Sequence, residues 1–109
     1  MKFGGGGNMK NLIKQANQMK EKMDKLQAEA GEKIVEATSG GGMVTVEAKA
    51  KGEVISIKIE PEIVQDSDID MLQDLITAAV NEALKRGQDI MQEEVSKAAG
   101  GMGIPPGLL

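Results

Sequence analysis

Apolar residues recur at steps of three and four through two stretches of the chain and alternate with polar residues through the stretch between them. In the first, Met9, Leu12, Ala16, Met19, Met23, Leu26 and Ala30 make an a/d seam held over about three heptads. The spacing predicts a helix of about 20 residues, roughly 30 Å long, that stops at Gly31. Such a seam is narrow and suits one partner helix rather than a broad core, so part of this helix is expected to project from the domain body. In the last stretch, Leu72, Leu75, Ile76, Ala79, Val80, Ala83 and Leu84 make one apolar stripe, with Ser67 placed to cap the first turn and Asp68 and Asp70 favoured there by the helix dipole. Gly87 interrupts that pattern after Lys85 and Arg86, and a further segment carries Ile90, Met91, Val95 and Ala98. The helix is therefore expected to kink at Gly87, or to break there and restart, before Gly100-Gly101 ends it.

Between the helices, alternation predicts three strands and a register. A two-residue turn at Lys51-Gly52 sets Ala48 opposite Ile55, Val46 opposite Ile57 and Val44 opposite Ile59. A loop at Ser39 to Gly42 sets Thr38 opposite Met43, Ala37 opposite Val44 and Val35 opposite Val46. These apolar residues then share one face. Glu36, Thr38, Thr45, Glu47, Ser56, Lys58 and Glu60 take the other, with Ile34, Met43 and Val54 as apolar exceptions. Glu60-Pro61 closes the last strand, and Glu62 to Asp66 leads to the helix cap.

The pattern adds up to an α+β fold: an N-terminal helix, a three-stranded antiparallel meander, and a long C-terminal helix that covers its apolar face. Residues 1–8 read as a flexible glycine-rich lead, 9–99 as a single domain, and 100–109 as a flexible tail. Phe3 is the only aromatic residue and lies in the lead, so the core must come from Leu, Ile, Val, Ala and Met. A core of that kind and size gains from burial against a partner.

Composition narrows the chemistry. The chain has no cysteine and no histidine, which removes disulfides, thiolate and imidazole metal ligands, and the commonest general base near neutral pH. No catalytic residue, metal ligand, cofactor or small-molecule substrate is assigned, and the chain is not expected to be an enzyme. Asp66, Asp68 and Asp70 imitate the opening of a calcium loop, but Met71 stands where glycine belongs and Thr77 where the bidentate glutamate belongs. Gly40-Gly41-Gly42 joins two strands and has no following Gly-Lys-Ser/Thr, so it is a turn and not a phosphate cradle. Without a secretory segment or a long apolar run, no membrane is implied and a cytoplasmic location is expected.

Charge adds a polarity along the chain. The net charge is −4, yet residues 1–33 carry seven lysines against four acids, while residues from 53 onward carry eleven acids against four basic side chains. On a helical wheel Lys10, Lys14, Lys22 and Lys25 fall within about a third of a turn, opposite the seam formed by Met9, Leu12, Ala16, Met19, Met23 and Leu26. Two readings of these lysines stand: contact with phosphates, or a solvated face laced with i,i+4 pairs such as Glu21 with Lys25 and Lys25 with Glu29. Lys85 and Arg86 are a second basic pair, placed where a helix C-terminus would favour cations without any ligand. A sheet without aromatics cannot stack single-stranded bases, so duplex contact is the nucleic-acid mode left.

With these elements placed, the ordered segments NLIKQANQMKEKMDKLQ, SGGGMVTVEAKAKGEVISIKIEP and DMLQDLITAAVNEALKR, with the closing GMGIPPGLL, resemble the YbaB/EbfC family of bacterial nucleoid-associated proteins over nearly the whole chain. The resemblance implies a homodimer whose long helices project like the arms of tweezers, bind double-stranded DNA and alter its conformation. It implies a place in the nucleoid and roles in its organisation and in gene regulation. On charge and position, Lys10, Lys14, Lys22, Lys25, Lys85 and Arg86 are the candidate DNA contacts. The alternative is a small dimeric protein-interaction module that grips a partner helix with its Met/Ala seam and does not touch DNA.

Overall fold

The computed structural model describes residues 5–65 and 68–101. In chain order these form α1 (Gly5–Gly31), β1 (Ile34–Ser39), β2 (Val44–Lys49), β3 (Glu53–Ile59), α2 (Pro61–Gln65) and α3 (Ile69–Gly101). The three strands make one antiparallel sheet in the order β1-β2-β3. This is the expected helix, meander and C-terminal helix. Two ends differ from expectation: Gly5 to Asn8 already belong to α1, and α3 runs through Gly100 and Gly101. The remainder of the lead and tail, residues 1–4 and 102–109, lies outside the described residues, as do Asp66 and Ser67.

The cap of α3 therefore comes from Asp68, whose Oδ1 accepts the Met71 N–H at 3.0 Å, two residues inside the first helical position. The expected Ser67 cap falls outside the described residues. Before it, Glu62 to Gln65 do not form a plain lead-in but a single helical turn, α2, opened by Pro61 at the position where a missing N–H costs nothing. That turn buries Ile63, which is 1% exposed.

α3 is one continuous helix of 33 residues, and the expected kink or break at Gly87 does not occur. Ala79, Ala83 and Gly87 follow one another at four-residue steps and are all buried. A Cβ on Gly87 would lie 2.9 Å from both the Cα and the carbonyl oxygen of Ala50. The glycine is there to let the turn between β2 and β3 press against the helix backbone, not to end the helix.

The register is partly as expected. Val46 pairs with Ile57 and Val44 with Ile59, but a bulge between Glu47 and Ala48 sets Val54, not Ile55, opposite Ala48. The connection is also longer than two residues, since Lys49 pairs with Glu53 across Ala50-Lys51-Gly52, with Gly52 at φ +104°. On the other side Ala37 pairs with Val46 and Val35 with Ala48, two residues away from the expected partners. Gly40 turns the corner at φ +62° beneath Leu75, while the neighbouring Ser39 hydroxyl donates to the Leu75 carbonyl at 2.6 Å.

The core lies between α3 and the first two strands. Val44, Val46, Ala48, Ala79 and Ala83 are fully buried, with Val35 and Ala37 beside them. β3 is different: Ile55 and Ile57 stay 45% and 44% exposed although Ile57 is opposite the buried Val46.

α1 and α3 leave the sheet together. A Cβ on Gly31 would lie 3.1 Å from the Lys51 Cβ, so the inner end of α1 rests on the same turn as Gly87. Met19, Met23 and Leu26 are half-buried and Ala30 is buried, so the partner helix of the seam is the chain's own α3. α3 ends at Gly101, level with Gln15, Gln18, Met19 and Lys22. Among the described residues, none flanks α1 beyond that point. The molecule measures 80 × 22 × 19 Å with a radius of gyration of 21.5 Å, against about 13 Å for a compact chain of this length.

Candidate nucleic-acid interface

The cations of the molecule divide into two sets. On the body, Lys33 pairs with Glu94 at 2.7 Å, Lys49 and Lys51 share Glu32 at 2.8 and 3.3 Å, and Lys51 also reaches Glu53. Lys97 and Arg86 pair one turn along α3 with Glu93 and Glu82. These bonds shift the titration of three groups. Hydrogen bonds from Lys49 and then Lys51 hold the Glu32 carboxyl below the ordinary carboxylate range, and Lys33 does the same for Glu94. The bond to Glu32 raises the Lys51 ammonium.

On α1 no such pairing is present. Lys10, Lys14, Lys20, Lys22 and Lys25 are exposed, and among the described residues none makes an ion pair. The expected i,i+4 pairs of Lys25 with Glu21 and Glu29 are not formed. Between Asn8 and Lys20 the helix carries three lysines and no acid. The acids of the arm, Glu21, Asp24 and Glu29 on α1 with Asp89, Glu93 and Glu94 on α3, all lie nearer the sheet. A long rod thus ends in a tip of one sign, where a field is least cancelled by the acidic body.

The candidate residues are not gathered in one place. Lys10 and Lys14 stand on the tip, and Lys22 and Lys25 on the same face of the part flanked by α3. Lys85 and Arg86 sit in the middle of α3 over the sheet, because α3 does not end after them. Arg86 spends its guanidinium on the protein: Nη1 donates to the Glu36 carbonyl at 2.6 Å and Nε to Glu82 at 3.3 Å. Lys85 is exposed and without an ion pair among the described residues. Lys20, which the wheel sets toward the seam side and away from the other lysines, is a further free cation on the arm. No local pattern marks it in the sequence, since Asp24 stands at i+4 and yet no ion pair forms between them.

Arg86 also distinguishes the two edges of the sheet. The Ala50 N–H donates to the Lys33 carbonyl, so by alternation Ile34, Glu36 and Thr38 turn their backbone groups away from β2. Arg86 closes that outer edge at Glu36. On β3 the Glu60 N–H donates to Met43, which turns the backbone groups of Ile57 and Ile59 outward. Among the described residues no side-chain hydrogen bond closes this second edge.

No three His, Cys, Asp or Glu side chains among the described residues are grouped so as to hold a metal ion, and Asp68 is spent on the helix cap. The cleft between inner α1 and α3 is lined by Gln27, Ala50, Lys51, Met91 and Val95, an uncharged wall apart from one lysine and Asp89. No described helix is long and apolar enough to cross a membrane.

The chain resembles known proteins along most of its length. The sequence profile of the YbaB/EbfC DNA-binding family matches residues 5–102. A nucleoid-associated protein of Alkaliphilus metalliredigens is 51% identical over 103 residues, 94% of this chain and 90% of that protein. A nucleoid-associated protein of Acetivibrio thermocellus is 50% identical over 105 residues, 96% and 93% of the two chains. Among solved structures, an uncharacterised protein from Helicobacter pylori aligns with a TM-score of 0.58 at 26% identity, over 68% of this chain and 86% of that one. Profile, relatives and fold agree, and the chain belongs to the YbaB/EbfC DNA-binding family.

Proposed function

We propose that this protein is a nucleoid-associated protein that binds double-stranded DNA as a homodimer, using the free lysines of α1, and alters the conformation of the duplex. The observation that carries this reading is the segregation of charge. Among the described residues the five lysines from Lys10 to Lys25 are exposed and make no ion pair, on a helix that extends past Gly101 of α3, whereas five of the cations on the body are tied to carboxylates. Relatives at about half identity are named nucleoid-associated proteins. Lys10, Lys14, Lys22 and Lys25 make the phosphate contacts, with Lys20 beside them and Lys85 at most an accessory. Arg86 serves the β1 edge instead. Contacts of this kind position a protein on DNA without reading sequence. Two arms held apart by a rigid body engage a duplex at two points, and the strain of that grip is what bends it; roles in nucleoid organisation and gene regulation follow.

The second copy is assigned to β3. Its half-exposed Ile55 and Ile57 continue the core surface that α3 leaves uncovered, and its outer edge is open. Sedimentation of Ile57→Lys against the parent chain tests this. Each buried isoleucine is worth about 1.5–3 kcal/mol, and a two-fold interface counts it twice, so the variant should sediment as a monomer where the parent is a dimer. An unchanged dimer rules β3 out.

DNA binding itself is tested by gel shift across a salt series. The affinity should fall with a log-log slope of about −0.9 for each phosphate contacted. No shift at low salt ends the reading and leaves the protein-interaction module in its place.

A further inference from the structure

The outer half of α1 carries more than lysines. Met9, Leu12 and Ile13 are 59%, 60% and 54% exposed, and with Ala16 they form an apolar stripe about 100° wide. Met9, Leu12 and Ala16 continue, in unbroken a/d order, the seam whose inner part, Met19 to Ala30, is occupied by α3. Among the described residues α3 reaches only to Gly101, while the seam runs on to Met9.

We propose that this stripe pairs antiparallel with the same stripe on a second copy, and that the contact links one dimer to the next along DNA. The inference rests on the DNA-binding reading above. Inner α1 shows that the seam accepts a helix, and the α1 tip of another molecule is a helix with the same seam unfilled. Antiparallel pairing sets Met9 against Ala16, large against small, and brings Leu12 and Ile13 of both copies to the centre of a two-fold contact. Lys10 and Lys14 lie on the far side of the helix and stay free for phosphates, while Lys20, on the seam side, lies one turn beyond Ala16 at the margin of the contact.

Charge makes the contact conditional. Each tip holds Lys10, Lys14 and Lys20 and no acid, so two tips repel in free solution. Four side chains from each copy also fall well short of the ~1,200 Å² that stable association needs. A duplex removes the first obstacle by neutralising the lysines and the second by concentrating the tips. Two isologous contacts with separate axes, one at β3 and one at the tip, generate an open chain of dimers rather than a closed ring.

The absence of cysteine from the sequence allows a direct test in the full chain. Leu12→Cys treated with a short bis-maleimide should give covalent pairs in the presence of a duplex several hundred base pairs long and few without it. Asn11→Cys, on the opposite face of the tip, should give none in either case. In parallel, the parent chain should bind the long duplex at least ~10-fold more tightly per site than a duplex that holds one dimer, from the gain of tethered neighbours. The double variant Leu12→Ser with Ile13→Ser should lose that gain while keeping its affinity and salt slope on the short duplex. Equal crosslinking from Asn11→Cys, or a gain that survives the double variant, overturns the proposal. Crosslinking through Leu12→Cys with no gain on the long duplex places the contact within one dimer and overturns the linkage as well. Failure of the parent chain to bind the short duplex removes the DNA-binding reading itself, an outcome separate from the others.

Discussion

The inner and outer halves of α1 have the same heptad seam and the same lysine-bearing back, yet they live in different surroundings. The inner half, Met19 to Gly31, is held by α3 on one side and by the β2–β3 turn at its end, and its neighbours supply acids. Among the described residues the outer half, Asn8 to Gln18, meets α3 only at its last residue, Gly101, beside Gln15 and Gln18, and is exposed throughout, basic and apolar by turns. One periodic sequence therefore does two jobs, and what separates them is the length of a second helix. Where α3 packs on it the seam contributes stability; further out the same kinds of residue, Met9, Leu12 and Ile13, stay exposed.

The largest effect should come from the outer face. Replacing Lys10, Lys14, Lys22 and Lys25 together by Gln removes up to eight phosphate contacts from a dimer, which at about 0.1 M salt should weaken duplex binding by at least ~10³-fold. Thermal and urea stability should stay within ~0.5 kcal/mol of the parent, because these residues are exposed and unpaired. Gel shifts and urea titrations on one preparation check both halves of the expectation. A variant that still binds would detach the arm from DNA contact.

Next comes the inner seat. Gly87→Ala adds a Cβ at 2.9 Å from backbone atoms of Ala50, which cannot swing aside as a side-chain tip would. The overpacking cost of about 1–3 kcal/mol is expected to exceed the gain of about 1 kcal/mol from removing a mid-helix glycine. Gly100→Ala in the same helix meets nothing within 4 Å and should be neutral or slightly stabilising. Urea midpoints that rank the two variants the other way would mean that Gly87 serves no close approach.

These particulars also explain what the sequence could and could not convey. Alternation placed Val44, Val46 and Ala48 in the core, all of them fully buried, and fixed Val46 against Ile57. It could not distinguish Ala37–Val46 from Ala37–Val44, since a slip of two residues keeps every side chain on its own face. Nor does it register the bulge at Glu47/Ala48, which adds a residue without changing the run of apolar types. Read locally, Gly87 predicts a kink or a break because glycine weakens helices; its reason is a turn 37 residues earlier in the chain, at Ala50. The line Ala79, Ala83, Gly87, small residues at four-residue steps, was the available sign of a close-packed face. For the candidate interface, the wheel placed the lysines on one face of α1. Which cations are free depended on partners far away in sequence, such as Lys33 with Glu94 and Arg86 with the Glu36 carbonyl, and no local pattern reports those.

The smallest effect is electrostatic and confined to the inner half. Glu32, held by Lys49 and Lys51, and Glu94, held by Lys33, tie the region where α1 ends to the sheet and to α3. Both carboxyls titrate below their ordinary value of 4.5 in the folded chain. Each pair therefore contributes stability that is present above that value and is lost as pH falls through the lower folded pKa. Lys51, raised above 10.5, has the opposite sign: its contribution holds below that value and fades as pH rises through the folded pKa. The thermal midpoint should thus be flat between these limits and decline below pH 4.5, by a small amount that shrinks further in high salt because all the partners are solvent-exposed. In Glu32→Gln and Glu94→Gln together, the part of the acid decline owed to these pairs should vanish. The outer half has no carboxylate to protonate. An acid decline that persists unchanged in the double variant would place the pH-sensitive contacts elsewhere than at the inner seat.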